Sequence, residues 1–272
     1  MSHHTRITRW SAALALACAA CCAQANGFSS SSTDPGSTLH FTPDQVITFS
    51  KKVERTLAEQ GTRVALLARM GRPQSEMPDG MHFTHVAFAV YSEITTADGR
   101  KLPGYAIHNL YQLNDHPDTS ELVVDYPVDF FSSVAELEAG VIIPSPQLQE
   151  RLLKVIGTPT YTALHDPHYS LIANPYTLGR QNCTEFVLDV LQSAIYQTGD
   201  LGVIKANTRA HFKAQDVNVN PFKLLLGSMF SAEVSMSDQP GPPVTATFET
   251  IGEYLRSFDP ATRVLKVLAS TN

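Results

Sequence analysis

Apolar residues repeat at helical spacing in several segments of the chain. The first of these segments follows Thr42, a favourable N-cap, and Pro43, which suits the first helical position. Further segments with the same spacing begin near residues 146, 183 and 247. The chain is therefore expected to form several amphipathic helices, and the apolar stripe of the first comprises Val46, Phe49, Val53 and Leu57.

Strand character is strongest in residues 82–95 and 105–113, where β-branched and aromatic residues are frequent. Between them, the segment 96–104 contains Asp98-Gly99, a strong hairpin signal. We therefore expect an α+β fold with a central antiparallel sheet. Three more segments have strand-like composition, the first of which also suits a short helix: residues 63–70, 122–131 and 263–269.

The N-terminus has the features of a secretory signal peptide. Arg6 and Arg9 precede a short apolar run, and Ala23-Gln24-Ala25 matches a cleavage site of small residues. We expect residues 1–25 to be removed and the protein to be periplasmic or secreted. The run is too short to span a bilayer, so we expect no transmembrane segment. The alternative, a lipoprotein, would be acylated at one of three cysteines: Cys18, Cys21 or Cys22.

The remaining chain divides by composition into three parts. Residues 26–41 are rich in Ser, Gly and Pro and suggest a flexible linker. Residues 42–200 carry the clearest helix and strand patterns and are expected to form the core. Residues 201–272 are expected to form a C-terminal extension packed on the same domain. A chain of 272 residues is long enough for such a core.

Charge and composition argue against some classes of partner and cofactor. The formal net charge is −6, and no basic cluster or stripe is present, so we expect no nucleic-acid partner. His165 and His168 have a spacing that some metal sites use, but they lie in a predicted loop without a further ligand nearby. We expect neither a metal nor a cofactor, and we expect a monomer.

Cys183 is the single cysteine outside the apolar leader. An exported chain with one cysteine cannot form an internal disulfide after cleavage. The thiol is then reactive, paired with another molecule, or buried as a small apolar side chain. The count alone does not choose among these three.

The position of Cys183 favours a reactive thiol. Asn182 is a favoured N-cap, and Glu185 lies where a capping box places its acidic residue. Cys183 is then the first residue of a helix, where backbone N–H groups and the positive end of the dipole stabilise a thiolate. A nucleophilic thiol also needs a base, which is most often histidine.

His85 and His108 are the candidate bases, because each lies on one strand of the predicted hairpin. A tight turn would place His85 opposite Gln112, and a longer loop would place it opposite His108. Both registers put His85, His108 and Gln112 on one face of the sheet. Either His108 or Gln112 would then orient His85.

Three short motifs occur in a recognisable order: "HVAFAV", "GYAIH" and "NCTEFV". They resemble the motifs of the lecithin–retinol acyltransferase-like enzymes, in the circularly permuted NlpC-like branch of the papain superfamily. The resemblance implies Cys183 as nucleophile, His85 as general base and His108 as the orienting third group. It also implies a papain-like core in which the cysteine helix packs on the sheet. The whole chain further resembles an uncharacterised exported proteobacterial family.

These features predict acyl transfer through an acyl-thioester on Cys183. Gln112 and Asn182 are candidates for orienting or oxyanion support. The expected substrate is a peptide or amide in the cell envelope, and a lipid ester or amide is the alternative. A third possibility is a non-catalytic envelope protein that retains the fold and buries an inert thiol.

Overall fold

The computed structural model describes residues 39–96, 98–218 and 234–269. The predicted signal peptide and most of the predicted linker therefore lie outside the described residues. The seven α-helices of the described part are α1 Pro43–Glu59, α2 Pro127–Phe131, α3 Pro146–Ile156, α4 Pro159–Ala163, α5 Cys183–Tyr196, α6 Leu201–His211 and α7 Phe248–Phe258. Its strands are β1 Val64–Met70, β2 His85–Thr95, β3 Lys101–Gln112, β4 Ser120–Asp125, β5 Glu136–Ile143, β6 Gln215–Asp216, β7 Val244–Thr245 and β8 Arg263–Leu268.

The fold is mixed α+β with a central antiparallel sheet of six strands in the order β4-β3-β2-β1-β5-β8. The predicted α+β class and antiparallel sheet are confirmed. In the described residues, no helix is both long enough and apolar enough to cross a membrane.

Helices cover both faces of the sheet, and each face has its own apolar core. Strand β1 is buried along its whole length because alternate side chains enter the two cores. Leu66 packs on the side of α5, whereas Leu67 packs on the side of α1. The predicted stripe of α1 is confirmed: Val46, Phe49, Val53 and Leu57 are buried.

The predicted strand at residues 122–131 is only half correct. Strand β4 ends at Asp125, and Pro127 begins the short helix α2. Proline supplies no backbone N–H for a sheet but suits the first position of a helix, which accounts for the change. The sequence pattern also failed to indicate β5, Glu136–Ile143, which pairs with β1.

Neither predicted register of β2 with β3 is found: the pairing lies one residue from the tight-turn register and three residues from the long-loop register. Phe88 pairs with His108, and the last pair before the turn is Thr95 with Lys101. The connection between these two residues is wider than a two-residue turn, and across it the N–H of Thr96 donates to the carbonyl of Arg100. A loop with an odd number of residues places each side chain of β3 on the opposite face of the sheet from the face that a two-residue turn would give.

The C-terminal segment contributes to the central sheet. Strand β8 pairs with β5, and α7 buries Ile251 and Leu255 in the α5-side core. The apolar sequence stretch at residues 222–230 lies outside the described residues.

Gly140 of β5 marks a close approach beside the core. A Cβ at this position would lie 2.6 Å from Phe83 and 2.7 Å from Phe248. The two rings already pack edge to face, with centroids 4.8 Å apart. We therefore expect Gly140→Ala to lower the free energy of unfolding by about 1–3 kcal/mol, because the rings must move.

Urea denaturation of Gly140→Ala beside the wild type measures this loss. Gly241→Ala is the matched control, because a Cβ at Gly241 meets nothing within 4 Å. An unchanged midpoint for Gly140→Ala would contradict the close approach.

Candidate active site

Cys183 is the first residue of α5, as predicted, and it is buried. Asn182 caps the helix: its Oδ1 accepts from the N–H of Glu185 at 2.9 Å and from the hydroxyl of Thr184 at 2.8 Å. The thiol is therefore anchored to a helix start whose backbone N–H groups favour a negative charge.

The side chain of Asn182 is occupied in building the helix start. Its Nδ2 donates to the carbonyl of Leu171 at 2.8 Å and to Thr245 Oγ1 at 3.3 Å. These hydrogen bonds make its amide part of the scaffold of the predicted site. The predicted capping box is wrong in its second half, because the Glu185 carboxylate bonds to Lys205.

Two helix starts meet at a small pocket that contains Cys183. Asn182, Cys183 and Thr184 line it from α5, and residues 245–247 line it from the start of α7. The cavity measures about 40 Å³. Its other walls are Met77, Met81, Phe83, Thr84, Tyr169 and Leu171.

The residue that precedes β2 also reaches this pocket. Thr84 lines the pocket, and His85, the next residue, is the first of β2. Side chains alternate along a strand: Val86 packs on the α5 side and Ala87 on the α1 side. His85 therefore points to the α1 side, where its ring lies 5.7 Å from that of Phe130 in α2.

A buried amide holds the His85 ring. His85 Nε2 lies 3.0 Å from Asn109 Oδ1, and the ring stacks on Tyr111 with centroids 4.9 Å apart. Burial lowers the pKa of His85 well below its usual value, and the charge of Arg69 lowers it further. The hydrogen bond with Asn109 raises the pKa but has the smaller effect. The imidazole is therefore neutral at pH 7.

The predicted shared face of three site residues is not found. His108 and Gln112 lie on the α5 side of β3, whereas His85 shares its face with Asn109 and Tyr111. The ring of His108 packs edge to face on Tyr161, with centroids 5.9 Å apart. Gln112 Nε2 donates to the carbonyl of Pro117 at 2.7 Å.

Sequence reasoning missed Asn109 and the acid behind it. Asn109 Nδ2 donates to Asp125 Oδ1 at 2.8 Å, and Tyr111 donates through its hydroxyl to Asp125 Oδ2 at 2.8 Å. Alternation along β3 already groups Asn109 with Tyr111. Only the correct register could show that this pair, and not His108, shares the face of His85.

A buried ionic cluster braces α5, the helix that begins at Cys183. Lys205 of α6 lies 2.6 Å from Glu185 and 2.8 Å from Asp189, and all three side chains are at most 3% exposed. Burial raises the pKa of Glu185 well above its usual value, although Lys205 opposes this. Gln181 also donates to Asp189, so the cluster ties the segment before α5 to α6.

Residues 56–255 match the model of a family described as "Uncharacterized protein conserved in bacteria (DUF2145)". The match covers most of the chain, so the protein belongs to this family. No curated protein and no solved structure matches it.

Removing the central ammonium should damage the fold. Lys205→Met would leave two buried carboxylates without their countercharge, so we expect the free energy of unfolding to fall by about 3–5 kcal/mol. Chemical denaturation followed by circular dichroism measures the loss.

Lys266→Met is the matched control. Lys266 pairs with Glu138 at 2.8 Å, but its side chain is 55% exposed. We expect this variant to lose about 0–1 kcal/mol. Equal losses for the two lysine variants would contradict a structural role specific to the buried cluster.

Proposed function

We propose that this DUF2145 protein is an exported cysteine hydrolase that forms an acyl-thioester on Cys183. One observation carries the proposal: Cys183, at the start of α5, and Thr84, the residue directly before His85, line one pocket. The arrangement, together with the ordered motifs, supports a permuted NlpC-like, papain-type core. Export is supported by the leader, with Arg6 and Arg9 before the apolar run.

Cys183 is suited to act as the nucleophile. It sits at the first position of a 14-residue helix, where the N–H groups and the dipole lower the pKa of a thiol. A tetrahedral intermediate would form beside the same N–H groups, which can stabilise its oxyanion.

His85 is suited to act as the base because it is neutral. The proton of the thiol passes to the ring of His85 as sulfur bonds to the carbonyl carbon. The imidazolium returns that proton to the leaving amine as the carbon–nitrogen bond breaks. Water then attacks the thioester, which releases the acid and restores the thiol.

Asn109 is the third group that the geometry favours. It bonds to His85 Nε2, whereas His108 lies on the opposite face of the sheet. The proposed triad is therefore Cys183, His85 and Asn109, in place of a triad completed by His108.

The pocket favours a peptide or amide substrate in the envelope over a lipid. A cavity of about 40 Å³ holds only a few heavy atoms, whereas pockets for drug-sized ligands span about 300–1,000 Å³. Apolar walls from Met81, Phe83 and Leu171 suit a small acyl group. A long acyl chain would require a larger apolar groove.

A non-catalytic envelope protein is the second candidate. It is favoured by the sheet register, which directs the side chain of His85 toward α1 and α2 while α5 packs on the opposite face. The enzyme requires the imidazole of His85 to reach the Cys183 thiol around the first residue of β2. The two candidates predict different thiol reactivity.

The alkylation rate of Cys183 separates the enzyme from the binding protein. We expect iodoacetamide to label Cys183 well below pH 8.5, the usual pKa of a thiol, and His85→Ala to slow this labelling. Peptide mass spectrometry over a pH series measures the rate.

His168→Ala is the matched control, since His168 is exposed and bonds to Asp166. It should label like the wild type. Labelling that follows an ordinary thiol in all three proteins would favour the non-catalytic candidate.

The orienting residue can be identified by two substitutions in adjacent positions. Asn109→Ala should slow alkylation at neutral pH, because His85 loses its hydrogen-bond partner, whereas His108→Ala should leave the rate within about twofold. Thermal melting of both variants controls for unfolding. The reverse order of effects would restore His108 as the orienting group.

A further inference from the structure

We propose that Asp125 is a positioning residue whose carboxylate fixes the Asn109 amide and thereby keeps the His85 proton on Nε2. This proposal rests on the proposed function, in which His85 must accept a proton through its other nitrogen. It assigns a role to a buried acid at the end of β4 that is not among the residues that line the pocket.

The orientation of the Asn109 amide follows from its acceptors. Asn109 Nδ2 donates to the carbonyl of Ile107 at 3.0 Å and to Asp125 Oδ1 at 2.8 Å. A carbonyl and a carboxylate can only accept, so the NH₂ end of the amide must face them. Oδ1 therefore faces His85.

The tautomer of His85 follows from the amide. Because Asn109 Oδ1 is an acceptor, His85 Nε2 must carry the hydrogen of their 3.0 Å bond. The neutral ring is then unprotonated at Nδ1. A flipped amide would offer a donor to Nε2 and would move the proton to Nδ1, where the ring could no longer act as a base toward the thiol.

A further pair of contacts, made by Tyr111, closes a circle of four side chains: His85, Asn109, Asp125 and Tyr111. Asp125 Oδ2 accepts from the hydroxyl of Tyr111 at 2.8 Å, and the Tyr111 ring stacks on His85 at an interplanar angle of 15°. Asp125 therefore controls both the amide that bonds to the imidazole and the aromatic ring that supports its plane.

The charged surroundings allow Asp125 to ionise, although it is buried. Burial raises its pKa to about 6, and the charge of Asp129 adds to this rise. The hydrogen bond from Tyr111, the charge of Arg69 and the hydrogen bond from Asn109 lower the pKa. The Arg69 guanidinium lies 5.4 Å above the Tyr111 ring. Above pH 6 the carboxylate thus accepts from both donors.

Protonation of Asp125 should weaken the arrangement. A carboxylic acid has one hydroxyl, which donates, so one of the two oxygens loses capacity as an acceptor. As the pH falls through about 6, the hold on Asn109 loosens and the Nε2–H tautomer loses population. His85 itself stays neutral there, since burial keeps its pKa well below the usual value.

The ¹⁵N shifts of the His85 ring test the proposal directly, because they report which nitrogen carries the hydrogen. The signals are assigned by their loss in His85→Gln. In the wild type we expect the Nε2–H tautomer at pH 7.5 and a shift toward a mixture as the pH falls through about 6.

Two substitutions of Asp125 separate orientation from charge. Asp125→Ala removes the acceptor, so we expect a mixture of tautomers at every pH. Asp125→Asn keeps an oxygen for Asn109 and can donate to the Tyr111 hydroxyl oxygen, so we expect Nε2–H to persist below pH 6. The second variant keeps the test available if the first does not fold.

A wild-type pH response retained in Asp125→Asn would overturn the proposal, as would an unchanged tautomer in folded Asp125→Ala. The tautomer can be read without any activity. If it behaves as expected while Cys183 alkylation ignores His85, the positioning role stands and the proposed hydrolase fails.

Discussion

The pairing of Phe88 with His108 fixes which side chains of β2 and β3 share a face of the sheet. It places Asn109 and Tyr111 beside His85, and the end of β4 then brings Asp125 behind them. A slip of one residue would exchange this hydrogen-bonded set for His108 and Gln112. The buried polar chemistry of this face therefore depends on the register of one strand pair.

The second constraint is the start of α5. Asn182 caps the helix and ties its start to the carbonyl of Leu171 and to Thr245 of β7. Lys205 of α6 binds Glu185 and Asp189, which both lie in α5. An uncompensated charge in this buried cluster would be costly. Together these contacts give Cys183 a fixed position at the pocket that Thr84, the residue before β2, also lines.

Local sequence signals predicted a large part of the fold. Thr42 and Pro43 indicated the start of α1, and Asn182 indicated the start of α5, because caps act within one helical turn. The apolar stripes of these helices identified their buried faces. These features depend on neighbouring residues alone, so one sequence is enough to find them.

The parts that were missed depend on distant residues. The Asp98-Gly99 signal suggested a tight turn, but Thr96 and Arg100 close a wider loop, and the faces of β3 are reversed as a result. Asp125 lies at the end of β4 and meets Asn109 only after β4 pairs with β3. No local pattern singled out Lys205, and only the packing of α6 on α5 shows its buried role.

The central claim is that Cys183 and His85 act together on an acyl group. It is tested most directly by mixing the protein with p-nitrophenyl acetate at neutral pH and locating the acetyl group by peptide mass spectrometry. The account predicts an acetyl group on Cys183 in the wild type, a much slower appearance in His85→Ala and no acetyl group at this position in Cys183→Ser. Wild-type protein without acetylated Cys183, or equal acetylation in His85→Ala, would contradict it.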